Sequence, residues 1–217
     1  MKNILILGAN GQIARIVAER LLAEQPETHL TLYLRNSSRV NDLAKNAERV
    51  DVVEGDIYDL ETLTKATAGQ DLVFISNVDH DPNNRITQNV IDAMKANSVN
   101  RVVAANVLGI YNEVPDEFGR WNRETIGQSG LSSALRSDKL LEESGLDYTT
   151  LRLPWLNDRN EIDYVITHKN EEYVGVSGSR KSMADVVVRI AENFDFLKND
   201  SVGIANAATQ GKTRPVY

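Results

Sequence analysis

Gly8, Gly11 and Ala14 stand at the spacing Gly-x-x-Gly-x-x-Ala, directly after an apolar run at residues 4–7, in the opening stretch MKNILILGANGQIAR. Glycine admits backbone angles closed to other residues and lets a bulky anion approach the main chain. A small third residue lets a helix pack closely on the strand before it. A strand that breaks into such a turn, here around Asn10, and resumes as a helix aims unpaired N–H groups and the positive end of the helix dipole at one point. That arrangement suits a pyrophosphate. An ordinary tight strand-to-helix turn is the alternative.

A second group with chemical meaning is Arg35-Asn36-Ser37-Ser38-Arg39, which follows Leu30, Leu32 and Leu34 on one face of an apolar stretch. At the end of the second strand of a dinucleotide fold, an acidic residue bonds the ribose 2′-OH, whereas an arginine accommodates a 2′-phosphate. Arg35 holds that place. Arg39 and the hydroxyls of Ser37 and Ser38 add donors suited to phosphate oxygens, so NADP(H) is expected in preference to NAD(H), with NAD(H) still open. The alternative is a solvated basic loop. Asp56 and Ile57 end the third apolar run, where an aspartate accepts the adenine amino group and an apolar neighbour packs on the ring. Helix capping by Asp56 or Asp59 is the competing use.

These groups need elements to hold them. Residues 3–7 read as a strand buried on both faces, because successive apolar side chains suit the centre of a parallel sheet. A helix is expected over 12–23, strands over 29–34 and 50–54, and a helix over 60–68. A fourth strand, 71–76, runs into the polar exit 77–82, and Pro82 and Asn83 open a helix to about 96. A fifth strand covers 101–105, 112–130 reads as less regular, and a helix over 132–144 stops at Gly145 as a C-cap. The sixth strand, 147–153, must leave the sheet at Pro154. Strands at 162–167 and 172–174 follow, then a helix over 182–193 with Ser182 and Asp185 at capping-box spacing, and a last strand at 202–205. The alternation predicts an α/β fold, a Rossmann-type doubly wound parallel sheet with helices on both faces. One domain is expected over 1–217, with about 155–180 forming part of a small substrate-side annex.

Composition narrows the classes. With 24 Lys+Arg against 31 Asp+Glu, a formal charge of −7 and no dense basic run, nucleic-acid binding is not expected. No apolar run approaches the length of a membrane span, and no leader pattern precedes the first strand, so a soluble, cytoplasmic protein is expected. The absence of cysteine excludes disulfides, thiolate metal sites and cysteine nucleophiles. His29, His80 and His168 lie far apart and show no metal-ligand spacing, so no metal is expected.

Placed in order, these segments resemble the atypical short-chain dehydrogenase/reductase proteins, in particular the small NAD(P)H-binding group related to NmrA-like proteins and to flavin or biliverdin reductases. ILILGANGQIAR is similar to the cofactor loop, LYLRNSSR to the ribose-phosphate loop and VVEGDIYD to the adenine-side strand. RVVAANVLGIY is similar to the strand that usually carries a catalytic serine, SGLDYTTLRLPWLND to the sixth strand with its proline turn, and SRKSMADVVV to the closing helix. The resemblance implies that Gly8, Asn10, Gly11, Gln12 and Ile13 contact the pyrophosphate, and Arg35 with Ser37, Ser38 or Arg39 the 2′-phosphate. It implies that Asp56 and Ile57 hold adenine, that Ser76 and Asn77 lie under the ribose and nicotinamide, and that Leu153, Pro154 and Trp155 flank the nicotinamide.

The pattern departs at the catalytic set. Dehydrogenases of this kind use a serine with Tyr-x-x-x-Lys, the lysine lowering the tyrosine pKa. Here Asn106-Val107 stands where the serine is expected, and the following helix carries no Tyr-x-x-x-Lys. Asn106 and Tyr111, the nearest phenol, are the remaining catalytic candidates, with packing the alternative for Tyr111. Hydride transfer to a conjugated acceptor needs mainly stacking and orientation, and the proton can come from water. The expected function is therefore an NADPH-dependent oxidoreductase acting on a small flavin- or quinone-type acceptor. Trp155, Tyr111, Phe118 and Trp121 are candidate aromatic walls for it. The alternative is a non-catalytic NADP(H)-sensing protein of NmrA-like type, which would have a protein partner; a homodimer is compatible with either.

Overall fold

The computed structural model describes residues 2–45 and 48–217. Strand β1 (Lys2–Leu7) leads into helix α1 (Gln12–Glu24), then β2 (Thr28–Leu34), a 3-10 turn (Ser37–Val40), β3 (Val50–Glu54), α2 (Leu60–Thr67), β4 (Leu72–Ile75) and α3 (Arg85–Ala96). The second half comprises β5 (Arg101–Val107), α4 (Asp116–Glu143), β6 (Asp147–Leu153), β7 (Trp155–Asn157), β8 (Val165–Thr167), β9 (Ser177–Ser179), α5 (Arg180–Glu192) and β10 (Asp200–Ala205). Eight strands form one sheet in the order β3-β2-β1-β4-β5-β6-β10-β8, parallel except for β8, which runs antiparallel to β10. β7 and β9 pair separately, in parallel.

The apolar run at the start of the chain explains its place. Ile4, Leu5, Ile6 and Leu7 are all within 1% of complete burial, and each such side chain removed from water contributes about 1.5–3 kcal/mol. Ile4 and Ile6 pack with α1 and α5 on one face, while Leu5 and Leu7 pack with α2, α3 and the end of α4 on the other. Strand order reverses between β1 and β4, the switch point at which a doubly wound sheet opens a crevice at its carboxyl edge. Among the described residues no helix is long and apolar enough to cross a membrane.

Three expectations are corrected. The stretch 112–130 is largely helical: α4 starts at Asp116 behind Pro115 and is interrupted only at Gly127, whose φ of 79° and ψ of 155° suit glycine alone. Gly119 lies inside this helix as a close-packing residue, since a Cβ there would come within 2.1 Å of the Val114 carbonyl oxygen. No strand forms at 172–174; Tyr173 is a fully buried plug whose hydroxyl donates to the carbonyls of Arg152 and Ile204 at 2.9 and 3.0 Å. The cap of α5 is Ser179, which accepts from the Ser182 amide at 2.9 Å. Ser182 is itself buried, and its hydroxyl accepts from the Asp163 amide.

Candidate functional site

β1 is followed by Gly8, whose φ of +76° lies in the left-handed region that favours glycine. Its N–H donates to the Tyr33 carbonyl at 2.9 Å, and the Gly11 N–H returns to the Gly8 carbonyl at 2.8 Å, closing the turn. A Cβ on Gly8 would meet Ser76 Oγ at 2.7 Å and the Asn77 amide at 2.8 Å. Ser76 is held underneath by donating to the carbonyls of Leu7 and Gly8 at 2.7 and 3.0 Å. Gly11 is the N-cap of α1 and offers no side chain to its first turn, so the helix presents open amides toward the crevice. Ala14, fully buried, lets α1 lie close against the sheet.

Above this turn, at the carboxyl ends of β1, β2, β3 and β4, lies a cavity of about 660 Å³. It brings together Gly8, Asn10, Gly11, Arg35, Arg39, Asp56, Ile57 and Asn77 from the sequence-predicted set. Arg35 and Arg39 are exposed, and among the described residues neither is in an ion pair. A second cavity of about 640 Å³ adjoins it, shares Asn77 and adds Ser76 and His80. Gln12 and Ile13 lie on the first turn of α1, outside both linings. Ser37 and Ser38 are also outside: the Ser37 hydroxyl donates to Glu54 and the Ser38 hydroxyl to Asn36.

The cavity includes residues that sequence reasoning missed. Tyr33 crosses from β2 to donate its hydroxyl to the Asp56 carbonyl at 2.8 Å. Only glycine fits at position 55, where a Cβ would lie 2.4 Å from the Tyr33 oxygen. Burial, then the charges of Asp59 and Asp56, pushes the Tyr33 phenol up to about 12, so it remains a donor. The Gly55-Asp56 pair was the available signal for this close approach. The Asp56 carboxylate accepts from the Tyr58 amide, and the cap of α2 is Asp59, which accepts from the amides of Glu61 and Thr62. Tyr58 and Ile86 complete the wall, and the Arg85 guanidinium lies 4.6 Å from the centre of the Tyr58 ring while bonded to Asp81 at 3.0 Å.

At the exits of β5 and β6 the polar groups are already engaged. Asn106 is 2% exposed; it donates to the Ala134 carbonyl at 2.9 Å and accepts from the Val107 amide at 2.8 Å. The Tyr111 hydroxyl donates to the Asp138 carboxylate, and burial together with that bond raises its pKa far above the ordinary phenol value. Glu113 accepts from the amides of Gly109 and Tyr111 and pairs with buried Arg152 at 2.5 Å. Leu153 and Pro154 are buried, and Trp155 is half-buried with its ring centroid 4.8 Å from that of Trp121. The Trp155 indole N–H donates to Asn122 at 2.9 Å, and Phe118 stacks on Trp121 at 5.7 Å. None of these residues lines either large cavity.

The residues at the first cavity fit a dinucleotide: a cradle that a Cβ would fill, an uncapped helix start, and two guanidinium groups that form no ion pair among the described residues. The comparisons agree. Residues 8–194 match the family model described as NAD(P)H-binding. The chain is 25% identical over 210 residues to quinone oxidoreductase 2 of Escherichia coli, covering 96% of this chain. The chain spans about two thirds of that relative's length, 66%. A short-chain dehydrogenase/reductase from Veillonella parvula, solved in complex with NADP, superposes with a TM-score of 0.91 at 26% identity, covering 100% of this chain and 99% of that one. A Rossmann-fold NAD(P)-binding family protein from Shigella flexneri is 32% identical with a TM-score of 0.80, at the same coverage of 100% and 99%.

Proposed function

The chain belongs to the NAD(P)H-binding family, and from that premise we propose that it is an NADPH-dependent oxidoreductase passing hydride to a small conjugated acceptor of the flavin or quinone type. We take 1–217 as a single cofactor-binding unit, with 155–180 on the substrate side. The observation that carries the reading is the contrast within the crevice: free donors at the ends of β1 and β2, and no free acid or base at the end of β5. When bound, the reduced nicotinamide supplies the hydride. Gly8 and Gly11 hold the pyrophosphate, Arg35 and Arg39 bind the 2′-phosphate, and Asp56 with Ile57 receives adenine. Asn77, common to both cavities, bridges the two halves of the dinucleotide site.

Tyr111 and Asn106 serve the fold in this reading. An alcohol or ketone substrate needs a positioned proton donor, and Tyr111 is turned toward Asp138. An acceptor whose reduced form takes its proton from water does not have that need, and quinone reduction by a relative is consistent with it. Calorimetric titration with NADPH, NADP, NADH and NAD, followed by NADPH oxidation with flavin and quinone acceptors, tests the proposal. Tight NADPH binding with acceptor-dependent turnover is expected. Binding without turnover on either acceptor class would assign the chain to the sensing role instead.

A further inference from the structure

The donors that the end of β2 offers to a phosphate are partly occupied by the protein itself. Ser37 gives both its main-chain N–H and its hydroxyl to one oxygen of Glu54, at 2.9 and 2.6 Å. Glu54 closes β3 beside Leu34 in register, so its carboxylate reaches from the neighbouring strand onto the loop that carries Arg35 and Arg39. An amide and a hydroxyl converging on one anionic oxygen is how a phosphate oxygen is held at such a turn. The two bonds from Ser37 keep the Glu54 carboxyl below the usual carboxylate range, so it is ionised at neutral pH. Glu54 nonetheless forms no ion pair among the described residues, and Arg35 and Arg39 remain open on either side of Ser37.

We propose that Glu54 sets the choice between the two nicotinamide dinucleotides, its carboxylate occupying the Ser37 donors in place of the 2′-phosphate of NADP(H) and opposing that group. The assignment rests on the cofactor reading above. A 2′-phosphate must take Arg35 and Arg39 beside a fixed negative charge, whereas the 2′-hydroxyl of NAD(H) is neutral and is not repelled. The loop is therefore a balance of opposing charges, with arginines favouring the phosphorylated cofactor and Glu54 narrowing the preference. A phosphate seated on Arg35 and Arg39 carries a near-double negative charge, and its repulsion by the Glu54 carboxylate through water-exposed surroundings is equivalent to about tenfold in affinity.

The test is calorimetry on the wild type and Glu54→Gln with four ligands: NADPH, NADH, adenosine 2′,5′-bisphosphate and AMP. The last two isolate the adenosine half from any acceptor chemistry. Glu54 is exposed, so the variant keeps the fold, which circular dichroism verifies. The expected result is about tenfold tighter binding of the two 2′-phosphorylated ligands, with NADH and AMP within about twofold of wild type. An unchanged ratio, or weaker binding of the 2′-phosphorylated pair, overturns the role of Glu54 and leaves the cofactor reading standing. A wild type that binds none of the four removes the cofactor reading and this assignment together.

Discussion

The two ends of the crevice are built on opposite terms. Over β1 and β2 the groups assigned to the anion are left open by the fold: the start of α1 is uncapped, and Arg35 and Arg39 carry no ion pair among the described residues. Over β5 and β6 the groups that could act as reagents are bound within the chain, Asn106 to Ala134, Tyr111 to Asp138 and Glu113 to Arg152. Groups that bind a ligand must be left unsatisfied by the fold, whereas groups buried for the fold must be satisfied by it. The residue type alone does not reveal the difference. Tyr111 and Arg35 are both plausible reagents in sequence, and only their partners separate them.

Four substitutions sharpen or break this contrast. The largest effect is expected from Glu113→Gln, which leaves buried Arg152 without its counter-charge and should cost about 3–5 kcal/mol in denaturant unfolding. Nucleotide affinity measured below the unfolding transition should be unchanged. Gly8→Val should do the reverse, placing a branched side chain against Ser76 and Asn77 at positive φ and weakening every nucleotide by at least about 100-fold in calorimetry. Arg35→Ala should reduce NADPH affinity by about 10- to 100-fold, the worth of a charge-assisted phosphate contact, with NADH unaffected. An unchanged NADPH/NADH ratio would remove Arg35 from the cofactor site. The smallest effect is expected from Tyr111→Phe, with turnover on a quinone acceptor within about twofold of wild type. A drop of about 100-fold or more, the usual size of a lost general acid, would make the β5 end catalytic and erase the contrast.

Much of the first half was legible in the sequence because local patterns suffice there. The run Ile4 to Leu7 demands burial on two faces, and Gly8 and Gly11 demand a turn that only glycine makes easily, so strand, turn and helix start are all written within one short segment. The second half depends on distant partners. Gly119, Gly127 and Gly130 suggest an irregular segment, yet Gly119 is small because it packs on Val114, and only Gly127 breaks the helix. β9 forms because Ser177, Gly178 and Ser179 align with Trp155, Leu156 and Asn157, a pairing that no local alternation shows. The site divides in the same way. Glycines and arginines signal an anion from sequence alone, while the capture of Ser37 by Glu54 and the support of Asp56 by Tyr33 arise only when β2 and β3 lie side by side.

Trp121 and Trp155, packed with their rings tilted by 50°, are both tryptophans of the chain. All indole fluorescence of the protein therefore arises from one spot, at the exit of β6 beside Pro154. Indole emits where a dihydronicotinamide absorbs and an oxidised nicotinamide does not, so the molecule carries a built-in optical ruler for the far end of its crevice. Quenching by NADPH and silence toward NADP would report that the reduced ring has bound within energy-transfer range of that pair.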